Sequence, residues 1–349
     1  MRWDDSPDRS FTANLREMFL GDPRGLPPFL YGVGTWFGPE VKAPTALFIV
    51  DEEEVAVEDK FVVGSAGLGQ RYPNVGGSRL RRTYPRLMPR YLRPGEDGGL
   101  VVGRIADASD RVRERLGNFL GSALVITSGP PEALAKVGSV LFDPVTRGRG
   151  TVGAPVIRTD DDGRIVEGFL TAGHAVAGRG AQILQSRRMW PSRRAPLGRV
   201  FLHRDPVVPY GMPAPPGFDI AVVDLASGQR PFRAVSSGVA QLPSSPPQPV
   251  PVRVRGGFTP DGPGMICASL MAGGHPSRQW KDCWVMVPAR SAKDGDSGAC
   301  VVTTPGRELV GMLVGGAQQG GSSRYGFHYV QDHDSVQRSL LTQAGVRLS

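Results

Sequence analysis

Gly295-Asp296-Ser297-Gly298 sets a serine hydroxyl inside a run of small residues, where the backbone can turn sharply enough to present it. Alone the tetrapeptide says little, because in a chain with 47 glycines among 349 residues it is also ordinary turn sequence. Two earlier segments change its meaning. Thr171-Ala172-Gly173-His174 and Asp219-Ile220-Ala221-Val222 precede it, so the chain presents a histidine, an aspartate and a serine in that order.

Those are the residue types that acyl transfer needs. A serine hydroxyl is a poor nucleophile until a histidine takes its proton, and the histidine needs a buried acid to fix its tautomer. His174 follows the largely apolar Gly168–Ala172, which places it where a strand gives way to a turn. Asp219 opens the apolar run Ile220–Val223, and Asp224 at the other end is the rival acid. The turn around the serine would aim the N–H groups of Gly295 and Ser297 at one point, as oxyanion donors. His203, His275, His328 and His333 have no comparable setting.

Gly168-Phe169-Leu170-Thr171-Ala172-Gly173-His174 and Gly295-Asp296-Ser297-Gly298, with Gly150-Thr151-Val152-Gly153 ahead of them, resemble the chymotrypsin-like serine peptidases. In style they are closest to the bacterial alpha-lytic protease/streptogrisin branch. The likeness spans Val137 to Gln337. It implies two six-stranded β-barrels with the active site between them, and no metal or organic cofactor. Carried over, His174 is the general base, Asp219 orients it, Ser297 is the nucleophile, and Gly295 and Ser297 supply the oxyanion donors. The resemblance also puts Ser291 at the base of the primary specificity pocket, with Gly316 and Phe327 as walls. An uncharged Ser291 disfavours selection of Arg or Lys and points to an apolar residue, while Lys293 and His328 leave an acidic preference open. Val314-Gly315-Gly316 stands where the family has Ser-Trp-Gly, and would bind substrate backbone as an added strand. There are three departures from the family: that tripeptide, Ala175 in place of the cysteine of secreted members, and the lack of an Arg-Ile-Val-Gly-Gly activation site. Asp296 therefore needs an internal partner.

The length suits two domains. In the first 140 residues, Thr45–Val50 and Val55–Val63 around the acidic turn Asp51–Glu54 predict a hairpin. Ala108–Leu120 predicts an amphipathic helix, Ser122–Ser128 a strand, and Pro131–Val137 a short helix. This mixture predicts a small α/β or α+β accessory domain over 1–140, ahead of an all-β protease domain over 141–349. There, Gly150–Ile157 and Ile165–Thr171 predict a hairpin. Further strands are expected at Val200–His203, Ile220–Asp224, Val250–Val254, Trp284–Val287, Ala299–Thr303, Glu308–Val314 and Gly326–Val330. The proline-rich Leu242–Pro251 is the expected linker between barrel halves, and Asp334–Ala344 a terminal helix.

No stretch approaches the roughly eighteen apolar residues of a membrane span. The polar start Met-Arg-Trp-Asp-Asp-Ser-Pro-Asp carries no secretory h-region, and three cysteines make a disulfide framework improbable, so a cytoplasmic location is expected. Net charge is +8, nearly all from arginine, as a GC-rich bacterial genome would produce without any acidic partner. Arg71, Arg79, Arg81, Arg82, Arg86, Arg90 and Arg93, interleaved with three tyrosines, form a segment able to bind nucleic acid, or simply a solvated loop. The expectation is an intracellular bacterial serine endopeptidase that is regulated and acts on a specific partner protein. The alternatives are a pseudoprotease that binds peptides, and a nucleic-acid-associated protein using the arginine segment.

Overall fold

A computed structural model describes residues 19, 26–39, 41–63, 69–71, 100–117, 123–133, 141–185, 195–207, 215–227, 229, 238–256, 262–275, 277–288, 292, 295–319 and 325–349. Up to residue 140 the chain forms β1 (Leu30–Trp36), β2 (Thr45–Asp51), β3 (Val55–Val63), β4 (Gly69–Arg71), β5 (Leu100–Ala108), α1 (Asp110–Leu116), β6 (Leu124–Ser128) and β7 (Glu132–Ala133). Then come β8 (Leu141–Phe142), β9 (Arg149–Gly150), β10 (Pro155–Thr159), β11 (Ile165–Thr171), β12 (Gln182–Gln185), β13 (Pro196–Arg204) and β14 (Ile220–Leu225). The last group is β15 (Val250–Arg255), β16 (Gly262–His275), β17 (Arg278–Pro288), β18 (Cys300–Thr303), β19 (Leu309–Gln318), β20 (Tyr325–Asp332), α2 (His333–Val336) and β21 (Val346–Leu348).

β15, β18, β19, β20, β17 and β16 hydrogen-bond in that order and β16 returns to β15, closing an antiparallel barrel without a free edge in the ring. The other sheet runs β21-β10-β11-β14-β13-β12-β8-β9 and makes a half-barrel. One closed six-stranded barrel and one open half-barrel match the chymotrypsin-like double β-barrel that the resemblance implies in everything but closure of the second barrel. Leu242–Pro251 lies against the closed ring. Gly238–Ala240 ahead of it already pair with Leu309 of β19, Ser244 O accepts from Ser269 of β16, and Val250–Pro251 open β15.

β1 pairs with β16 from Gly32↔Gly273 to Trp36↔Ala268. Through it the closed barrel's sheet continues outward into β2, β6, β5, β3 and β4. Residues on both sides of position 140 therefore share one sheet. They also share cores: Trp36, Leu47 and Ile49 pack with Trp280, Val285 and Tyr329, while Phe48 and Val50 pack with Met271, Trp284 and Val330. Each such fully buried apolar side chain contributes about 1.5–3 kcal/mol.

The predicted hairpin of Thr45–Val50 with Val55–Val63 does not form. β2 lies between β1 and β6, while β3 lies between β5 and β4. β2 is apolar on both faces, feeding two cores at once, and its second neighbour β6 is parallel to it. A parallel pair needs a long crossover, here β3 to α1.

The predicted helix Pro131–Val137 is also corrected. Glu132–Ala133 is strand β7, paired with Gly316 and Gly315 of β19, and residues 134–140 lie outside the described residues. Two prolines in succession, Pro130 and Pro131, hold the approach extended, and the β19 edge supplies the partner. Gly150–Ile157 is broken into the end of β9 and the start of β10, because Thr151 N turns to Ser297 O before Gly153 N and Ala154 O rejoin Leu170 of β11. The terminal helix starts at His333, with Asp332 accepting from Ser335 N, then widens over Gln337–Leu341 and stops at Gly345, whose φ is +67°.

Candidate active site

β11 ends in the buried Phe169, Leu170 and Thr171, and a single tight turn, Gly173–Ala175, then carries His174 out of the sheet. Gly173 is required there, because a Cβ would overlap the Arg204 carbonyl oxygen at the end of β13. Asp219 comes immediately before β14, the strand paired directly with β11 in the half-barrel, and is fully buried. Its Oδ2 lies 2.6 Å from His174 Nδ1, and its Oδ1 accepts from the His174 backbone N at 2.9 Å. Ser297 comes from the closed barrel, with its Oγ 2.9 Å from His174 Nε2. The line Asp219–His174–Ser297 is continuous.

Asp224, the rival acid, lies elsewhere. It faces Arg158, with Nε to Oδ1 at 3.0 Å and Nη2 to Oδ2 at 2.6 Å. Strand alternation along β14 separates the two acids into different neighbourhoods.

Two residues from the closed barrel complete the surroundings of Asp219. Trp280 Nε1 donates to Oδ2 at 2.9 Å, and the Asp219 backbone N donates to Gln331 Oε1 at 2.8 Å. Burial pushes the Asp219 carboxyl up, but the charge and hydrogen bonds of His174, with Arg278 beyond, hold it below the ordinary carboxylate range. Trp280 and Gln331 carry no motif. They are found only once their strands are paired with the rest of the barrel.

The Ser297 loop is held from across the cleft by Thr151. Its N donates to Ser297 O at 2.7 Å and its Oγ1 donates to Gly295 O at 2.8 Å. Gly295 and Gly298 have φ of +97° and +94°, which side-chain-bearing residues resist. The Gly295 and Ser297 amides find no acceptor among the described residues, so both remain available to an oxyanion. Asp296 is buried, with Oδ1 against Gly256 just past β15. Ser297 itself is wholly buried and the His174 side chain is only 1% exposed.

Val314, Gly315 and Gly316 follow Leu313, whose carbonyl accepts from Gly298 N at 2.9 Å, so β19 borders the nucleophile. Phe327 is buried in the barrel core, its ring 5.3 Å from that of Tyr329. The side chain that faces Gly316 and accepts from Ala292 N, at 3.1 Å, is His328, which burial lowers to about 4. Ser291 and Lys293 lie outside the described residues, as do the arginines from Arg79 to Arg93. Arg71 ends β4.

No protein-family model and no curated protein matches the chain. Solved structures do. Thermobifida fusca protease A is 18% identical, with a TM-score of 0.39 over 63% of this chain and 96% of that one. Cellulomonas bogoriensis chymotrypsin is 21% identical, with a TM-score of 0.40 over 61% of this chain and 96% of its own. Nocardiopsis protease is 21% identical, with a TM-score of 0.39 over 60% and 99%. These neighbours are chymotrypsin-like bacterial serine proteases.

Proposed function

We propose that this protein is a serine endopeptidase. The observation that carries the proposal is the unbroken run from Asp219 Oδ2 through the imidazole to Ser297 Oγ, at 2.6 Å and 2.9 Å. Ser297 Oγ bonds to the peptide carbonyl carbon while its proton passes to His174 Nε2. The oxyanion takes hydrogen bonds from the Gly295 and Ser297 amides. His174 then gives its proton to the leaving amine as the C–N bond breaks, and water repeats the sequence on the acyl-enzyme. Asp219 keeps Nδ1 protonated and balances the imidazolium, and Trp280 keeps Asp219 ionised and aimed. The resemblance assigns the base of the primary pocket to Ser291; Gly316, with His328 against it, would border that pocket, and Val314 to Gly316 offer backbone groups to the substrate.

We further infer an intracellular enzyme under tight control that acts on a partner protein. Cys267, Cys283 and Cys300 are buried free thiols, a state a reducing compartment preserves, and a covered Ser297 suits an enzyme held in check.

The test is covalent labelling of the full chain with a small fluorophosphonate. Adduct formation at Ser297 that is absent from Ser297→Ala supports the assignment. A folded protein that takes up no probe at any concentration would sink it.

A further inference from the structure

β18 pairs with β19 as far as Cys300↔Met312, and Gly298 N then donates to Leu313 O at 2.9 Å, so that ladder ends beside Ser297. The same edge of β19 runs on through Val314, Gly315 and Gly316, since the opposite edge belongs to β20 through Gly315↔Tyr329 and Gly316↔His328. That continuation is occupied by the chain itself. Ala133 lies opposite Gly315 and Glu132 opposite Gly316, antiparallel, and Gly129 N donates to Gln318 O at 3.0 Å further along. Residues 129–133 therefore travel along β19 from Gln318 toward Val314, in the direction of Ser297.

A peptide cut at Ser297 has to lie extended beside it, and this edge is where its backbone finds N–H and C=O partners. We propose that Glu132–Ala133 is a built-in occupant of the substrate strand, so that the resting protein is latent until an extended peptide displaces it. The proposal rests on the peptidase function above.

Three further observations support it. Pro130 and Pro131 precede the strand and fix its approach in an extended conformation, so little chain entropy opposes docking. They also help enclose, with His275, Ser277, Arg278 and Trp280, a cavity of about 230 Å³. Trp280 is the residue whose indole reaches Asp219, so the occupant's approach lies beside the catalytic acid's own support. Finally, the ladder is two residues long, short enough for an incoming peptide to replace with the same backbone bonds plus side-chain contacts.

The experiment releases the strand after folding. A recognition sequence for an exogenous site-specific protease is inserted between residues 137 and 138, and the full-length protein is purified and then nicked. Hydrolysis of a fluorescein-labelled unfolded casein and labelling by a small fluorophosphonate are measured before and after the nick. Ala133→Pro, which puts a proline ring into the two-residue strand without a nick, is the second variant. The expected result is a rise in casein kcat/KM of about tenfold or more in both, the factor that one or two net hydrogen bonds represent. Labelling of Ser297 in the released protein with casein hydrolysis no faster than in the intact protein overturns latency by strand occupancy. No labelling in the released protein would instead overturn the peptidase assignment on which it stands.

Discussion

Asp219→Asn isolates the charge of the catalytic acid from its shape. Three donors converge on this carboxylate: His174 Nδ1 and Trp280 Nε1 on Oδ2, and His174 N on Oδ1. An asparagine has one carbonyl oxygen to offer. With its oxygen in the Oδ2 place it accepts from His174 Nδ1 and Trp280 Nε1, while the NH2 group meets the His174 backbone N–H. With its oxygen in the Oδ1 place it accepts from His174 N, while the NH2 group donates to Nδ1 and meets the Trp280 N–H. Each orientation therefore makes two bonds and one clash. Both orientations lose the negative charge opposite the imidazolium, and the second also moves the imidazole proton to Nε2, where it cannot accept from Ser297. At roughly 4 Å between charge centres and an effective dielectric of about 20, that charge is worth about 4 kcal/mol. The acylation rate should therefore fall about 10³-fold. The donor facing a donor, at His174 N or at Trp280, should cost a further 1–3 kcal/mol or so of folding stability. The assay is the fluorophosphonate labelling rate of the variant against the native protein, with denaturant unfolding alongside. Asp224→Asn is the control and should leave the rate within about twofold, since that acid serves Arg158. Adding Trp280→Phe to Asp219→Asn removes one of the two donors that hold the amide in the first orientation, and should slow labelling again. A fall of less than about tenfold in Asp219→Asn would refute the use of Asp219 as a charged partner.

Two further outcomes are expected. Gly298→Ala forces a Cβ into a residue at φ +94° and against the Thr151 carbonyl oxygen, so it should lower stability by about 1–3 kcal/mol and abolish labelling, as read by denaturant midpoint and probe uptake. His333 is buried with no partner on either ring nitrogen and is lowered by burial to about 3. The unfolded chain then binds the extra proton between about pH 6.5 and 3, so stability contributed by neutral His333 is present above pH 6.5 and lost as pH falls, about 2 kcal/mol by pH 5. His333→Leu should flatten the acid limb of the stability profile by that amount; an unchanged limb would refute neutral burial.

Much of the half-barrel and of the candidate site lay open in the sequence, because each residue of the proposed triad sits beside a local signal. His174 ends an apolar run, Asp219 begins one, and Ser297 is bracketed by glycines that need positive φ. The Asp219 or Asp224 question stayed open because both flank the same strand, and only the pairing of β14 with its neighbours decides which end meets the histidine. β16, Gly262–His275, escaped notice for a different reason. It is fourteen residues of mostly small side chains, without alternation, because it feeds both cores, Cys267, Ala268 and Leu270 into one and Ile266, Met271 and Ala272 into the other. The parallel pairing of β2 with β6 was equally invisible, since adjacent strands separated by a turn look like a hairpin until a third strand claims the edge. Trp280, Gln331 and Thr151 act through contacts more than 60 residues away in the chain, and no local pattern marks them.

Thr151 grips the nucleophile loop 144 positions further along the chain, and Gln331, later still, holds the backbone of the acid. Biosynthesis runs in one direction, and domains generally fold as their residues emerge. A nascent chain that has completed the half-barrel thus carries histidine and aspartate with nothing to activate. One that has reached Ser297 still lacks the strands β19 and β20 that steady it. On the proposed function, the machinery is assembled only once β19 and β20 have been made, so products that end before them would be inert toward the ribosome and toward one another.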